Sequence, residues 1–346
     1  MPESQLALYR KYRPKSFKEV IGQDHIVKVL ESAIKASKPA HAYLFSGSRG
    51  TGKTSVARIM AKVLGTSAND LVEIDAASNR GIDDIRELRE AVRTNPFDSE
   101  YKVYLIDEAH MLTKEAFNAL LKTLEEPPKH VIFILATTEE EKLPETVVSR
   151  CQSFLFRKPS EEILKKLVED VSKKEGYAIE ASGAELIALL GDGSFRDALG
   201  ILQKVMGFSS DKKIERLEIE AITGAPNSEV INNFILALLK KDVVLGMEAI
   251  AEAKKNNVDM KVYMKLILHK LRQALLIKYA PAIAKRLIGD GEEQKSLESL
   301  VKEHSASITS VLLRELLDCY SQIDRSFIPE LPLELALIKI INNRNA

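Results

Sequence analysis

The sequence predicts a parallel α/β sheet with flanking helices, followed by a small helical domain and then a larger all-helical one. Three observations predict it. Short apolar runs alternate with helical patterns up to about residue 157, a glycine-rich turn "GSRGTGKT" follows the first of those runs, and strand signals cease after Lys158-Pro159. The division this implies is 1–158, 159–222 and 223–346.

In order, the strand candidates are "HAYLF", "LVEIDA", "KVYLIDE", "VIFILATT" and "SFLFR". Apolar runs without alternation suit strands buried on both faces of a parallel sheet. Helices lie between them. "KTSVARIMAKVL" follows the first strand, and in "TKEAFNALLKTLEEPP" Ala116, Leu120, Leu121 and Leu124 fall on one stripe, with Thr113 placed to cap the start and Pro127-Pro128 to stop it. Beyond Pro159, "SEEILKKLVEDVSKKEG" and "SGAELIALLGDGSFRDALGILQKVMGF" predict a small bundle to about residue 222. A hinge is expected at "GAPNSE", Gly224 to Glu229, and the rest, through "LPLELALIKIINN", reads as long amphipathic helices. No internal repeat or low-complexity tail is evident.

Composition narrows the function classes. A chain of 346 residues with 45% hydrophobic residues can bury more than one core. No apolar run reaches the roughly 18 residues that span a bilayer, and "MPESQLALYRKYRP" lacks the apolar core of a signal peptide, so a cytoplasmic protein that meets no membrane is expected. Cys151 and Cys319 are the two cysteines, too few for a disulfide framework or a cysteine zinc site. Lys+Arg and Asp+Glu both number 50, so the chain as a whole is not a polycation. Charge is segregated, however: residues 1 to 60 carry 11 basic and 4 acidic side chains, residues 61 to 110 carry 6 and 11. Any DNA contact must therefore use a local surface.

Gly47-x-x-x-x-Gly52-Lys53-Thr54 fits the phosphate-loop pattern in full, between an apolar strand and a helix. Glycines let backbone N–H groups turn toward phosphates, Lys53 reaches the β/γ oxygens, and the Thr54 hydroxyl is a magnesium ligand. Arg49, Gly50, Thr51 and Ser55 belong to the same cradle. About fifty residues on, Asp107 and Glu108 end a second buried strand; Asp107 suits the magnesium shell and Glu108 the attacking water. An active ATPase using ATP and Mg2+ is expected. "LATTE" ends the next strand with Thr137 and Thr138, hydroxyls placed to sense a γ-phosphate. "VVSRCQ" and "GSFRDAL" supply Arg150 and Arg196; a lone arginine is most often a solvated charge or surface ion pair.

The stretches "ALYRKYRPKSFKEVIGQ", "HAYLFSGSRGTGKTSVAR", "EIDAASNRGIDDIRELRE", "YKVYLIDEAHMLTKEAFNALLKTLEEPP", "LATTEEEKLPETVVSRCQ" and "GSFRDAL" together resemble the gamma/tau subunits of the bacterial DNA polymerase III clamp loader, which are AAA+ ATPases. The likeness is dense over residues 5 to 207. It implies a helical lid after the AAA+ domain, and a collar domain through which subunits, including delta and delta-prime types, form a pentameric ring. It makes Gly47, Gly52, Lys53 and Thr54 the Walker A contacts, Asp107 and Glu108 Walker B, and Thr138 sensor 1. Arg150 becomes an arginine finger reaching a neighbour's ATP, and Arg196 becomes sensor 2. Tyr9, Arg13, Pro14, Val20 and Ile21 would line the adenine pocket. The implied partners are the sliding clamp and primer–template DNA, with single-stranded-DNA-binding protein met through the complex.

Two departures stand out. Many members carry a four-cysteine zinc module where this chain has only "GTSAND", so magnesium alone is expected. The chain also stops after the collar-like helices, which fits a gamma-like form or a truncated one. Rival readings are an archaeal or eukaryotic clamp-loader small subunit, a silent delta-prime-like scaffold, and a DNA-remodelling AAA+ motor. The intact phosphate loop and acidic pair oppose the scaffold. "DEAH" also names a helicase family, but the remaining helicase motifs are absent, and His110 reads as a strand-end residue. His25, His41, His130, His269 and His304 show no ligand spacing. Nothing supports polymerase chemistry. Arg80 and Lys114 are DNA-contact candidates.

Overall fold

The computed structural model describes residues 6–78, 87–88, 90–288 and 292–342; Arg80 lies outside them. The chain forms two compact units, Met1–Ile214 and Glu215–Ala346.

Every predicted strand of the first unit forms: β1 (Ala42–Ser46), β2 (Leu71–Asp75), β3 (Lys102–Asp107), β4 (Val131–Thr137) and β5 (Gln152–Leu155). They make one sheet in the order β2-β3-β4-β1-β5, all pairs parallel. Burial on both faces holds for β1, β3 and β4, whose side chains are buried almost throughout. It fails for β2 and β5, which are partly exposed. These are the sheet edges, where Glu73 and Gln152 meet solvent rather than a second neighbour.

The helices of this unit are α1 (Leu8–Lys11), α2 (Asp24–Lys35), α3 (Lys53–Val63), α4 (Lys114–Glu125), α5 (Glu145–Val148), α6 (Glu161–Lys174), α7 (Ala181–Leu190) and α8 (Phe195–Phe208). Successive β1 side chains point to opposite faces and so seed two cores. Leu44 joins Tyr104, Phe133 and, from α4, Phe117, Leu120 and Leu124. Tyr43 and Phe45 join Phe154, Phe156, Leu30 of α2 and Met60 of α3. Burial of each such side chain is worth about 1.5–3 kcal/mol. Phe45 sits 5.2 Å from Phe156 and edge-on at 5.9 Å from Phe154, a rigid aromatic bed beneath the end of β1. Helix α4 starts where Thr113 accepts the Ala116 N–H (3.2 Å) and stops before Pro127. Of its predicted stripe Leu121 is only partly buried, and Phe117 takes the fully packed place.

The "GTSAND" connection is closed by a buried carboxylate. Asp70 accepts the N–H groups of Phe97 (2.6 Å) and Asp98 (3.0 Å) and the Ser67 hydroxyl (3.0 Å). Burial works to raise its pKa, but the hydrogen bonds from Asp98, Phe97, Ser99 and Ser67 prevail and hold it well below the usual carboxylate range.

Strand structure does not end at Pro159 as predicted. Ala178–Ile179 (β6) pairs in parallel with Lys213–Ile214 (β7). Two-residue strands carry too few side chains to show a period in sequence.

The second unit is helical among its described residues: α9 (Arg216–Thr223), α10 (Ser228–Lys240), α11 (Val243–Lys255), α12 (Met260–Tyr279), α13 (Pro281–Ile288), α14 (Glu292–His304), α15 (Ser310–Ile323) and α16 (Leu331–Asn342). Phe234 and Tyr263 meet edge-on at its centre (5.8 Å), and the Tyr263 hydroxyl donates to the Val230 carbonyl. "GAPNSE" lies within this unit: Gly224 closes α9 at φ 67°, and Asn227 caps α10. Among the described residues no helix is long and apolar enough to cross a membrane.

Candidate nucleotide-binding site

Strand order decides what meets at the site. With β4 between β1 and β3, Ser46 lies beside Thr137 and Leu135 beside Ile106, so three strands deliver their C-terminal ends side by side. In open parallel sheets this is where ligands bind. The loop Gly47 to Gly52 leaves β1 there and opens α3. Gly52 has φ 104°, a conformation costly for any residue with a Cβ, and open space where a side chain would stand. Thr51 braces the loop by donating to the Ser48 carbonyl (2.9 Å).

Lys53 is only 5% exposed, and its ammonium donates to the carbonyls of Gly47 (2.7 Å) and Ser48 (3.0 Å). Burial lowers its pKa, against the Glu108 and Asp107 carboxylates, which favour the charged form. The Thr54 hydroxyl donates to Asp107 Oδ2 (2.9 Å), bringing two hard oxygen donors together. Arg13 Nε donates to Ser55 Oγ on the next position of α3 (2.8 Å).

Glu108 has left-handed backbone at φ 49°, an unusual conformation for a non-glycine residue and one that collects at functional sites. Its carboxylate accepts the Thr138 hydroxyl (3.0 Å). His110 is not a strand-end residue: it lies in a single 3-10 turn, Ala109–Met111, with Nδ1 3.0 Å from Thr137 Oγ1 and 3.5 Å from Glu108 Oε2. Both threonines of "LATTE" thus engage the acidic turn, Thr138 directly and Thr137 through His110.

Most of the predicted contacts line one cleft of about 650 Å³: Tyr9, Arg13, Pro14, Val20, Ile21, the loop residues Arg49 to Ser55, Asp107, Glu108 and Arg196. Gly47, Thr138 and Arg150 do not line it. Gly47 holds Lys53 from the loop entrance, Thr138 stands behind Glu108, and Arg150 is ion-paired with Glu125 while donating to the Thr146 carbonyl. Lys114 is the first residue of α4 and does not line the cleft.

Sequence reasoning missed the apolar lining made by Leu167 of α6 and Phe195 and Leu199 of α8. Their helical spacing reads as core, and the one available signal was their nearness to Arg196 in "GSFRDALG". Contacts within the unit bring α8 here. The Phe195 N–H donates to the Gly50 carbonyl (3.0 Å), and a Cβ on Gly50 would stand 2.0 Å from Ser194 Oγ. Helix α1 is tied to the same helices: the Leu8 N–H donates to Gln203 of α8 (2.9 Å), while Lys11 and the Tyr12 hydroxyl both donate to Glu175. Burial and that carboxylate push the Tyr12 phenol up to about 12. Next to it, the Arg196 guanidinium lies over the Tyr9 ring, 4.9 Å from its centre.

A strand–loop–helix phosphate cradle, an acidic turn on the neighbouring strands and the helices α6 and α8 beside them define a phosphate-loop nucleotide-binding fold. The fold is that of the Thermotoga maritima RuvB Holliday junction branch migration motor (TM-score 0.53, 23% identity, 66% of this chain and 79% of that one). Residues 22–77 and 65–160 match the family model described as DNA polymerase III, delta subunit. The chain is 38% identical to the DNA polymerase III subunit tau of Bacillus subtilis over 96% of its own length and 63% of that protein's. It is 38% identical to the gamma/tau subunit of Mycoplasma genitalium (88% and 54%) and 34% identical to subunit tau of Escherichia coli (87% and 49%). Over most of its own length the chain is thus similar to DNA polymerase III gamma/tau subunits. It spans between about half and two-thirds of the length of these relatives.

Proposed function

We propose that this chain is an ATPase motor subunit of a bacterial replicative clamp loader, working in the cytoplasm. It would bind ATP, assemble with delta-type and delta-prime-type subunits in a five-membered ring, open the sliding clamp and seat it on primer–template DNA. The observation that carries the reading is the Thr54–Asp107 hydrogen bond, which joins the phosphate loop to the acidic strand beside Lys53 and Glu108. In this reading residues 1–158 form the ATP-binding domain, 159–222 the lid and 223–346 the collar.

The residues present suit magnesium: Thr54 and Asp107 offer a hydroxyl and a carboxylate, leaving other positions to phosphate and water. When bound, the ion would neutralise charge on the β and γ oxygens as the phosphoryl group departs. Lys53, now spending its protons on loop carbonyls, would exchange them for phosphate oxygens. Glu108 would orient and deprotonate the attacking water once Thr138 releases its carboxylate. Arg150, outside its own cleft, would complete a neighbour's site, and Arg196 would contact the γ-phosphate of its own.

The test is ATP turnover of the full chain, alone and reconstituted with its delta-type partners, with and without clamp and primed DNA. Turnover raised by clamp and primed DNA together is expected in the reconstituted assembly. Turnover indifferent to both, in an assembly shown to be intact, overturns the clamp-loading reading.

A further inference from the structure

The arginines around the nucleotide cleft are not held alike. Arg58 is forked onto Glu73 by two hydrogen bonds (2.6 and 2.5 Å), and Arg13 is fixed to Ser55. Arg196 differs. Among the described residues it forms no carboxylate ion pair, although Asp107 and Glu108 line the same cleft; it lies instead over the Tyr9 ring. The Arg10 and Arg196 guanidinium groups beside it hold the phenol below the ordinary tyrosine value. An aromatic face holds a guanidinium more weakly than a forked carboxylate does. Arg196 is therefore placed but readily released.

Tyr9 cannot follow it. Helix α1 is anchored on either side of Tyr9, by Leu8 to Gln203 of α8 and by Lys11 and Tyr12 to Glu175. These anchors lie on the same helical bundle that carries Arg196, so tyrosine and arginine travel together whenever the bundle moves. Movement of the bundle leaves the pair intact, and separating it takes a competing ligand for the guanidinium.

We propose that Tyr9 is a positioning residue that parks the Arg196 guanidinium, so that the γ-phosphate of ATP must draw it off the ring. This deepens the reading above and rests on it. In that role Tyr9 acts less as an adenine platform than as a discriminator between triphosphate and diphosphate, because ADP offers no γ-phosphate to compete with the ring.

The test uses the full chain and a double-mutant cycle, reading the ratio of the Kd for ADP to the Kd for a slowly hydrolysed ATP analogue. Any contact of Tyr9 with adenine is common to both ligands and cancels in the ratio. Tyr9→Leu, which removes the π face but keeps apolar bulk, should raise the ratio about three- to tenfold, the range of a partly exposed cation–π contact. Arg196→Ala should lower it, and adding Tyr9→Leu to Arg196→Ala should change nothing more. If Arg196→Ala lowers the ratio while Tyr9→Leu leaves it unchanged or reduces it, parking is wrong and the nucleotide role of Arg196 stands. If Arg196→Ala leaves the ratio at the wild-type value, the nucleotide role itself fails, and parking with it.

Discussion

Arg150→Ala separates chemistry from stability by magnitude. Within its own chain Arg150 pairs with Glu125, but these side chains are 32% and 47% exposed. A solvent-screened pair of that kind is worth roughly 0.2–1 kcal/mol. Removing it should leave folding and ATP binding within a few-fold of wild type. If the guanidinium instead completes the site of a neighbouring subunit, its loss should cost on the order of 10³ to 10⁵ in hydrolysis rate. The two expectations differ by orders of magnitude. The assay is DNA-stimulated turnover in the reconstituted ring, with nucleotide binding measured in parallel. Arg150→Ala and Lys53→Ala should each be nearly inactive alone. Mixed in one assembly they should recover activity at sites where an intact phosphate loop faces an intact Arg150. Unchanged turnover by Arg150→Ala in the ring would refute the trans role and leave the residue as a surface partner of Glu125.

Other substitutions test the remaining parts. Lys53→Ala should abolish ATP binding in a calorimetric or filter assay, since no other ammonium sits in the loop; near-normal affinity would contradict the phosphate-loop assignment. Glu108→Gln should bind ATP about as well as wild type but lose most turnover, and equal single-turnover rates would remove it from water activation. Asp70→Asn should lower the melting temperature at pH 7, because a carboxylate whose pKa is depressed on folding stabilises the protein above its unfolded value of about 3.9. That contribution starts to be lost as pH falls below about 4, so the gap between wild type and variant should narrow from pH 4 to pH 2. A constant gap across that range would rule out the charged form as the stabilising one.

The central strands were legible because runs such as "VIFILAT" have no polar position to spare, and the phosphate loop because its spacing is tied to backbone geometry. What was not legible depends on neighbours in space. Nothing in "LVEID" or "QSFL" says that these strands are edges, which follows only once β3, β4 and β1 have taken the middle. His110 follows a strand in sequence, yet the left-handed turn at Glu108 swings it onto Thr137. Leu167, Phe195 and Leu199 carry the periodicity of core residues and also line a cleft, because α8 lies against the loop. The partner of Arg196 is a tyrosine 187 positions away in the chain, beyond any local pattern.

Gly50 illustrates how a motif position can be specified by something other than its ligand. Its carbonyl receives the first N–H of α8, and the space a side chain would fill is taken by Ser194, the residue that caps that helix. The position is a backbone bearing on which α8 seats. A substitution there would first unseat α8, which carries Phe195 and Leu199 of the cleft, so its expected symptom is a changed rate of nucleotide entry and exit. Variation at this site should therefore track changes at Ser194 and Phe195, independently of which nucleotide the cleft accepts.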